Sequence, residues 1–246
     1  MIEKITSVKN SLILKALEYK TKKSQLEDKK YLIEGLNIVN EAIKNNVVDK
    51  IFVTKKFVNT FQNIDVIEIS DNVAQKLSDL KNSQEVFAIC NIVKKDFLDS
   101  NVLILDDVQD PGNLGTLIRS AFAFGFNNII CSESTVFLFN SKVLRAIQGN
   151  HFDLNIEYCD LEKRIVELKN EGYTIISTNL KEKNSIFDFE SHDKIALILG
   201  NEGNGVSERV QKLAQKNVIL KTSEKIDSLN VAIAGSIIMH DIFNVK

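Results

Sequence analysis

The chain of 246 residues has no Trp, a single Pro, three Cys and three His. The Cys and His residues stand singly, without the C-x-x-C or H-x-x-x-H spacing that builds a zinc site, so we expect neither a metal nor a disulfide. No apolar run approaches the ~20 residues of a membrane span, and the first residues lack the apolar core of a signal peptide. These absences predict a soluble, cytoplasmic protein without a membrane partner.

Charge is nearly balanced but unevenly distributed. The chain has 31 basic and 33 acidic residues, a net charge of −2, and 44% hydrophobic residues, a composition that excludes disorder. Residues 1–99 hold 16 Lys and 14 acids, whereas residues 100–246 hold 15 bases and 19 acids. The densest basic stretch, residues 20–30, would suit a phosphate backbone. A solvated, Lys-rich helix end would look the same.

Arginine is scarce, since only four of the 31 bases are Arg and none lies in the first hundred residues. Only the planar guanidinium grips two oxygens of a phosphate or carboxylate at once while staying charged. The four positions that keep Arg are therefore singled out as candidates: Arg119, Arg145, Arg164 and Arg209.

The patterning predicts two α/β domains. Residues 1–93 combine helical faces with short β-rich runs, residues 94–101 are a polar linker, and residues 102–246 alternate strands and helices. Strands such as VLIL are apolar without alternation, as in a parallel sheet covered by helices on both faces. The pattern places one helix at about 115–124 and a final helix from about 230. The final helix is apolar nearly all round, which fits either burial in the domain core or a dimer interface.

Three polar loops after strands of the second domain are candidates for chemistry, because ligands of open α/β sheets bind beyond the carboxyl ends of strands. They are residues 106–115, the glycine-rich residues 200–205 and residues 227–230. The P-loop and the G-x-G-x-x-G fingerprint are both absent, which weakens ATPase and dehydrogenase interpretations. Each loop alone is also explained by a helix cap or a tight turn.

Taken together, the sequences of the three loops resemble the motifs of a known family. DDVQDPGNLGTLIRSAFAFGF, LILGNEGNGVSERV and IDSLNVAIAGSIIMHDIF resemble the three motifs of the SpoU/TrmH family of SPOUT RNA ribose 2′-O-methyltransferases. Residues 5–90, including YLIEGLNIVNEAI, are similar to the ribosomal-protein-like substrate-binding domain of many rRNA-modifying members. NSKVLRAIQGN resembles a further family segment around Arg145 and Gly149.

The resemblance implies transfer of a methyl group from S-adenosylmethionine to a ribose 2′-hydroxyl by a homodimer, without a metal. It also implies a mostly parallel SPOUT domain, tied in a trefoil knot, behind a small α/β substrate-binding domain. The positions that match the family's active site are Arg119, Asn113, Glu202, Ser228 and Asn230. Those expected to hold the methyl donor are Thr178, Gly200, Leu220 and Leu229. For RNA contacts we expect Lys22, Lys23, Lys29, Lys30 and Arg145.

The sequence departs from the family at Lys221, where Pro is frequent, and at Ile147 and Asn150, where small residues are usual beside Gly149. A sulfonium donor already has an excellent leaving group, so alignment and charge stabilisation should dominate. A guanidinium stays protonated, which favours an electrostatic role for Arg119 over a general base. Ser228 and Asn230 would hold the substrate phosphate or ribose, and Glu202 would orient Arg119 or the loop around it.

Large-subunit rRNA is the favoured substrate because of the front domain. The alternatives are a tRNA 2′-O-methyltransferase and a ribosome-assembly factor that binds RNA without chemistry. A nicotinamide-dependent oxidoreductase is a third class, and it lacks its glycine fingerprint.

Overall fold

The computed structural model describes residues 3–61, 64–178, 194–223, 225 and 228–244. The chain divides into two compact units. Unit 1 comprises Met1–Val93 and Phe137–Phe152, and unit 2 comprises Lys94–Val136 and Asp153–Lys246. Unit 2 includes residues 94–101, which were predicted as a linker, and unit 1 includes Phe137–Phe152, which was expected in the C-terminal domain.

The elements follow each other in an α/β order. Those of the first part of the chain are β1 (Lys4–Ile5), α1 (Ser11–Glu18), α2 (Lys22–Asp28), β2 (Lys30–Glu34), α3 (Leu36–Lys44), β3 (Val48–Val53), β4 (Val66–Ile69), α4 (Asp71–Leu77) and β5 (Val86–Asn91). Those of the second part are β6 (Val102–Leu105), α5 (Pro111–Ala123), β7 (Asn128–Cys131), α6 (Ser141–Ile147), β8 (Asn155–Tyr158), α7 (Leu161–Asn170), β9 (Thr174–Thr178), β10 (Ile195–Leu199), α8 (Glu208–Gln211), β11 (Lys216–Val218) and α9 (Val231–Asn244).

Unit 1 is built on a mixed sheet with the strand order β1-β4-β3-β5-β2. Strand β4 pairs in parallel with β1 and β3, whereas β5 pairs antiparallel with β3 and β2. Helices α1 and α4 bury their apolar sides against the sheet, where Ile13, Val73 and Phe87 share one core. Sequence analysis predicted neither α2, which begins with two lysines, nor β2, a five-residue strand whose three central residues are buried.

The segment Phe137–Phe152 belongs to unit 1 because its aromatic rings pack around Tyr31 of β2. The ring of Phe139 lies 4.2 Å from that of Tyr31, and the Tyr31 hydroxyl is hydrogen-bonded to Nε2 of His151 at 3.1 Å. The side-chain amide of Gln25 adds a hydrogen bond to the Phe139 carbonyl at 3.0 Å. Local sequence patterns carry no information on such pairings between distant residues.

Unit 2 is a parallel sheet with the strand order β11-β9-β10-β6-β7-β8, as predicted for the apolar, non-alternating strands. From β6 the chain moves outward to β7 and β8 on one side, while β10 lies against β6 on the other side. The carboxyl ends of β6 and β10 therefore flank a topological switch point, where open α/β sheets bind ligands.

Helix α5 begins earlier than predicted, at Pro111 rather than near Gly115. Asp110 is its N-cap and accepts a hydrogen bond from the Asn113 amide, and Pro at the first helical position suits the fixed φ of that residue. The early start places Asn113 in the first turn of α5, at the mouth of the loop after β6.

Helix α9 packs closely on α5 and β10 because Gly235 has no side chain. A Cβ at this position would lie 2.4 Å from Cδ1 of Leu199 and 2.7 Å from Cδ2 of Leu117. The hydroxyls of Ser120 and Ser236 also meet, at 2.6 Å, between the two helices. One side of the final helix is thus buried in the core of unit 2.

In the described part of the chain, no helix is long and apolar enough to cross a membrane. The trefoil knot concerns the path of the whole chain and stays a prediction.

Candidate functional site

A cavity of about 380 Å³ lies at the carboxyl end of β10 in unit 2. Its walls come from the loop after β10, the chain around β11 and one side of α9. Leu199, Val218 and Ile238 make part of the wall apolar, whereas the loop supplies backbone groups. All four residues that sequence analysis assigned to the methyl donor line this cavity: Thr178, Gly200, Leu220 and Leu229. Of the predicted catalytic residues, Glu202 and Ser228 line it as well.

The loop after β10 folds into a tight turn that only glycine permits at its start. A Cβ on Gly200 would lie 2.1 Å from both the carbonyl carbon of Gly205 and the backbone nitrogen of Val206. Asn201 and Gly205 bond each other's backbone in both directions at 2.9 Å, and Gly205 has a φ of +69°. The wall of the cavity is therefore a closed backbone turn with a defined shape.

Glu202 joins this turn to the loop after β6. Its carboxylate accepts hydrogen bonds from the backbone N–H groups of Gln109 at 3.2 Å and Asp110 at 3.0 Å, and from Nδ2 of Asn113 at 3.0 Å. Partial burial acts to raise the pKa of Glu202, but these hydrogen bonds outweigh it and lower the pKa below its ordinary value. Of the two partners expected for Glu202, the structure shows the loop and not Arg119.

Asn113 and Asn230 continue the polar chain that starts at Glu202. Nδ2 of Asn230 donates to Oδ1 of Asn113 at 3.0 Å, across 117 positions of sequence. Oδ1 of Asn230 in turn accepts from the backbone N–H groups of Ala232 at 2.9 Å and Ile233 at 3.3 Å, which caps α9. Because each amide oxygen is occupied, the orientation of both amide groups is determined. One chain of hydrogen bonds thus connects the three predicted loops.

Arg119 lies two turns into α5 with its side chain exposed. Among the described residues no hydrogen bond or ion pair holds its guanidinium. It does not line the cavity, and neither do Asn113 and Asn230. The predicted catalytic residues therefore fall into two groups, one in the cavity wall and one on the polar chain and α5 beside it.

Sequence analysis gave no role to Asn201 or Asp107, which form a second connection between the two loops. Nδ2 of Asn201 donates to the Asp107 carbonyl at 2.9 Å. Asp107 has a φ of 62°, and its carboxylate accepts from the hydroxyls of Ser132 and Ser134, which lowers its pKa. In the sequence, only the two consecutive acids after a buried strand pointed to this connection, because the serine partners lie in the loop after β7.

The four lysines predicted to contact RNA lie in and beside α2 of unit 1. Lys22 stands over the ring of Phe137 at 5.1 Å, and Lys30 forms a 2.8 Å ion pair with Asp49. Lys23 is highly exposed with Glu27 at 4.0 Å, and Lys29 ends α2 in the left-handed conformation with a φ of 52°. The cluster is thus a partly neutralised surface rather than a row of unpaired cations.

Arg145 lies on α6 and so belongs to unit 1 with these lysines. It faces Asp79, whose carboxylate forms a 2.7 Å ion pair with Lys20. Burial acts to raise the pKa of Asp79, but the hydrogen bonds from Lys20 and Ser141 and the charge of Arg145 lower it. All five residues predicted to contact RNA therefore lie in one compact unit.

Comparison with known proteins assigns both parts of the chain. The family model described as SpoU rRNA Methylase family matches residues 100–240, and the model described as MRM3-like substrate binding domain matches residues 10–88. The chain is 31% identical to the 23S rRNA (guanosine(2553)-2'-O)-methyltransferase RlmP of Bacillus subtilis, over 97% of this chain and 98% of that protein.

Solved structures show the same fold. An rRNA methyltransferase from Sinorhizobium meliloti has a TM-score of 0.86 at 25% identity, over 98% of this chain and 97% of that one. An AdoMet-bound rRNA methyltransferase from the same organism has a TM-score of 0.87 at 24% identity, with the same coverage, and shows the likeness in fold. Because one family model covers more than half of the chain and a relative matches it almost end to end, the chain belongs to the SpoU rRNA methylase family.

Proposed function

We propose that the protein transfers a methyl group from S-adenosylmethionine to a ribose 2′-hydroxyl of large-subunit rRNA in the cytoplasm. The observation that carries this proposal is the polar chain from Glu202 through Asn113 to Asn230, which lies beside the cavity at the switch point of unit 2. The name of the Bacillus subtilis relative, a 23S rRNA 2'-O-methyltransferase, supports this substrate.

The cavity suits the methyl donor in size and chemistry. Its volume of about 380 Å³ lies in the range of roughly 300–1,000 Å³ that small-molecule sites occupy. Leu199, Leu220 and Leu229 offer apolar surface to an adenine ring, and the backbone of residues 200–205 offers hydrogen-bonding groups to its edges. When bound there, the donor supplies an electrophilic methyl group on a sulfonium.

The residues of the chain then have to hold the ribose and stabilise charge. Asn113 and Asn230 each carry a second Nδ2–H, for which the described residues offer no acceptor. With their oxygens occupied, these two donors are pre-oriented for the substrate ribose or phosphate, and the Ser228 hydroxyl at the cavity wall can join them. Such preorganisation is the main source of catalysis when bond breaking itself is easy.

Arg119 acts as an electrostatic clamp in this proposal. A guanidinium stays protonated in proteins, so it is a poor general base but a good partner for the negative charge that develops on the 2′-oxygen. Its exposed side chain has no hydrogen bond or ion pair with the described residues, which leaves it available to a substrate that approaches from solvent.

Unit 1 captures the RNA in this proposal. It carries the five predicted contact residues, and the first 99 residues have an excess of two bases over acids. Neutralised phosphates release counterions, so even a modest basic surface contributes affinity at low salt. The match of residues 10–88 to a substrate binding domain supports the assignment.

The homodimer is part of the same proposal. On unit 2 the exposed side chains include Ile233, Ile237 and Phe243 of α9 and Phe122 of α5, with exposed fractions of 52%, 37%, 50% and 41%. Ile233 and Ile237 are four residues apart and so lie on one side of α9, and α9 packs on α5 through Ser236 and Ser120. Surfaces of this kind mark interfaces, and a second copy of the chain is the proposed partner.

A methyl transfer assay tests the proposed function. Purified protein and tritium-labelled S-adenosylmethionine are mixed with total RNA from cells that lack the gene, and the labelled RNA is separated by size. Label is expected in large-subunit rRNA, within a dinucleotide that resists alkaline hydrolysis because its 2′-oxygen is methylated. With Arg119→Ala the rate of labelling should fall on the order of a hundredfold.

Three outcomes would contradict the proposal. Label on a base rather than a ribose would refute the reaction, and label in tRNA would refute the substrate. RNA binding without any transfer would identify a non-catalytic assembly factor.

A further inference from the structure

Both ends of the glycine-rich turn return to the same residue, Asp106 at the end of β6. The turn leaves β10 after Leu199, whose carbonyl accepts a hydrogen bond from the Asp106 backbone N–H at 2.9 Å. It ends at Ser207, whose backbone N–H donates to Oδ2 of the Asp106 side chain at 2.8 Å. One residue therefore joins the start and the end of the wall of the donor cavity.

Asp106 is unusual because the residue is only 1% exposed, yet its carboxyl group makes only one hydrogen bond to the described residues. Its Oδ1 has no partner there, and the buried hydroxyl of Ser207 has none either. Burying a carboxyl group with incomplete hydrogen bonding is destabilising. The single side-chain hydrogen bond of Asp106 within the described part of the chain, which goes to the end of the turn, indicates a role in holding that turn.

The neighbouring acid does not share this contact. The side chain of Asp107 turns away to the hydroxyls of Ser132 and Ser134, and only its carbonyl reaches the turn through Asn201. Asp106 does not line the cavity, whereas the turn from Gly200 to Val206 does. The hydrogen bond to the Ser207 N–H is therefore the contact that links the Asp106 side chain to the cavity wall.

We propose that Asp106 is a positioning residue that sets the shape of the donor cavity by holding the Ser207 N–H. The identity of the ligand, S-adenosylmethionine, rests on the proposed function. The hydrogen bond between Asp106 and Ser207 does not depend on it. The clamp keeps the end of the turn against the end of β6, so that the backbone groups of the turn face the cavity before the donor arrives. Preorganisation of this kind lowers the ordering penalty of binding.

The test combines Asp106→Ala, Ser207→Pro and the double variant. Ser207 has a φ of −63°, which Pro adopts, so the Pro variant removes the N–H with little backbone strain at that residue. The dissociation constant for S-adenosylmethionine, measured by calorimetry, should rise by about tenfold or more in each single variant. The double variant should bind S-adenosylmethionine as tightly as the weaker-binding of the two single variants, because both changes remove the same hydrogen bond.

Asp106→Asn keeps an oxygen that accepts from Ser207 and should recover most of the affinity. In turnover assays of Asp106→Ala, KM for the donor should rise while kcat is nearly retained. The affinity of this variant for RNA should stay unchanged. The control is Glu157→Gln. Glu157 lies on β8, at the far edge of the sheet, and its partly buried carboxylate forms an ion pair with Arg164. Its donor affinity should equal that of the wild type.

Additive effects in the double variant, or an unchanged dissociation constant in a folded Asp106→Ala protein, would overturn the clamp. Hydrogen exchange of the amides of residues 201–207, measured without any donor, separates this inference from the proposed function. Asp106→Ala should raise exchange in that segment at least about tenfold. If the wild type bound no donor at all, the proposed function would fail while the exchange experiment still decided whether Asp106 holds the turn.

Discussion

His151 should make unit 1 lose stability as the pH falls below about 6.5. Its imidazole is buried among Tyr31, Phe139 and Phe152, and burial lowers its pKa from 6.5 to about 3. Nε2 is hydrogen-bonded to the Tyr31 hydroxyl, and Nδ1 has no partner among the described residues. Protonation would therefore place a charge and an unsatisfied N–H in an apolar core.

The sign and the size follow from the linkage between protonation and folding. Between pH 6.5 and pH 3 the unfolded chain holds a proton on His151 that the folded chain does not. The stability from the neutral, buried imidazole is thus fully present above pH 6.5 and is lost progressively toward pH 3. Between pH 7.5 and pH 5.5 the loss attributable to His151 is about 1.4 kcal/mol, a factor of about ten in the unfolding equilibrium.

Native-state hydrogen exchange of the slowest amides in β2 and β5 reports the stability of unit 1 itself. The measurement is made at both pH values on the wild type and on His151→Gln, which keeps a nitrogen for Tyr31 but does not titrate in this range. The loss of about 1.4 kcal/mol on acidification should disappear in the variant. His240→Gln, which replaces an exposed imidazole on α9, should leave it unchanged. An equal pH dependence in His151→Gln and the wild type would refute a neutral, buried imidazole.

Four further predictions test the site, the RNA surface and the dimer. Gly200→Ala would place a Cβ 2.1 Å from the backbone of the turn, so calorimetry should show donor affinity reduced at least about tenfold; unchanged affinity would contradict the closed turn. Arg119→Ala should lower turnover on the order of a hundredfold with donor affinity retained. Arg119→Lys should restore little of this turnover, and its turnover should not rise at alkaline pH. Near-native turnover of the Lys variant would contradict the clamp. Ile237→Glu should shift sedimentation equilibrium from about twice the chain mass of 27.7 kDa to the monomer, and a wild type that is already monomeric would exclude the dimer. The last prediction concerns replacement by Ala of four lysines, which are Lys22, Lys23, Lys29 and Lys30. The slope of log K for RNA binding against log salt should become shallower by up to about 3 to 4 units. An unchanged slope would show that these lysines only form a solvated surface.

The parallel sheet of unit 2 was predictable because its elements are encoded locally. Apolar runs without alternation indicate strands covered on both faces, and glycines and polar residues mark where each one ends. The loop after β10 was recognisable for the same reason, since three glycines in six residues serve a close backbone approach such as that at Gly200. In unit 1 the short strand β2 was missed because only its three central residues are apolar, between Lys30 and Glu34.

The sequence by itself determined that three polar loops follow strands of one parallel sheet, because element type and loop position follow from local patterns. Only the tertiary structure decided which of these residues bond to each other. Glu202 binds the start of α5 rather than Arg119, Asn230 bonds Asn113 across 117 positions, and the segment Phe137–Phe152 packs with unit 1 around Tyr31. Periodicity and propensity describe neighbours along the chain, whereas these contacts depend on hydrogen-bond satisfaction and burial between segments that meet only when the chain has folded.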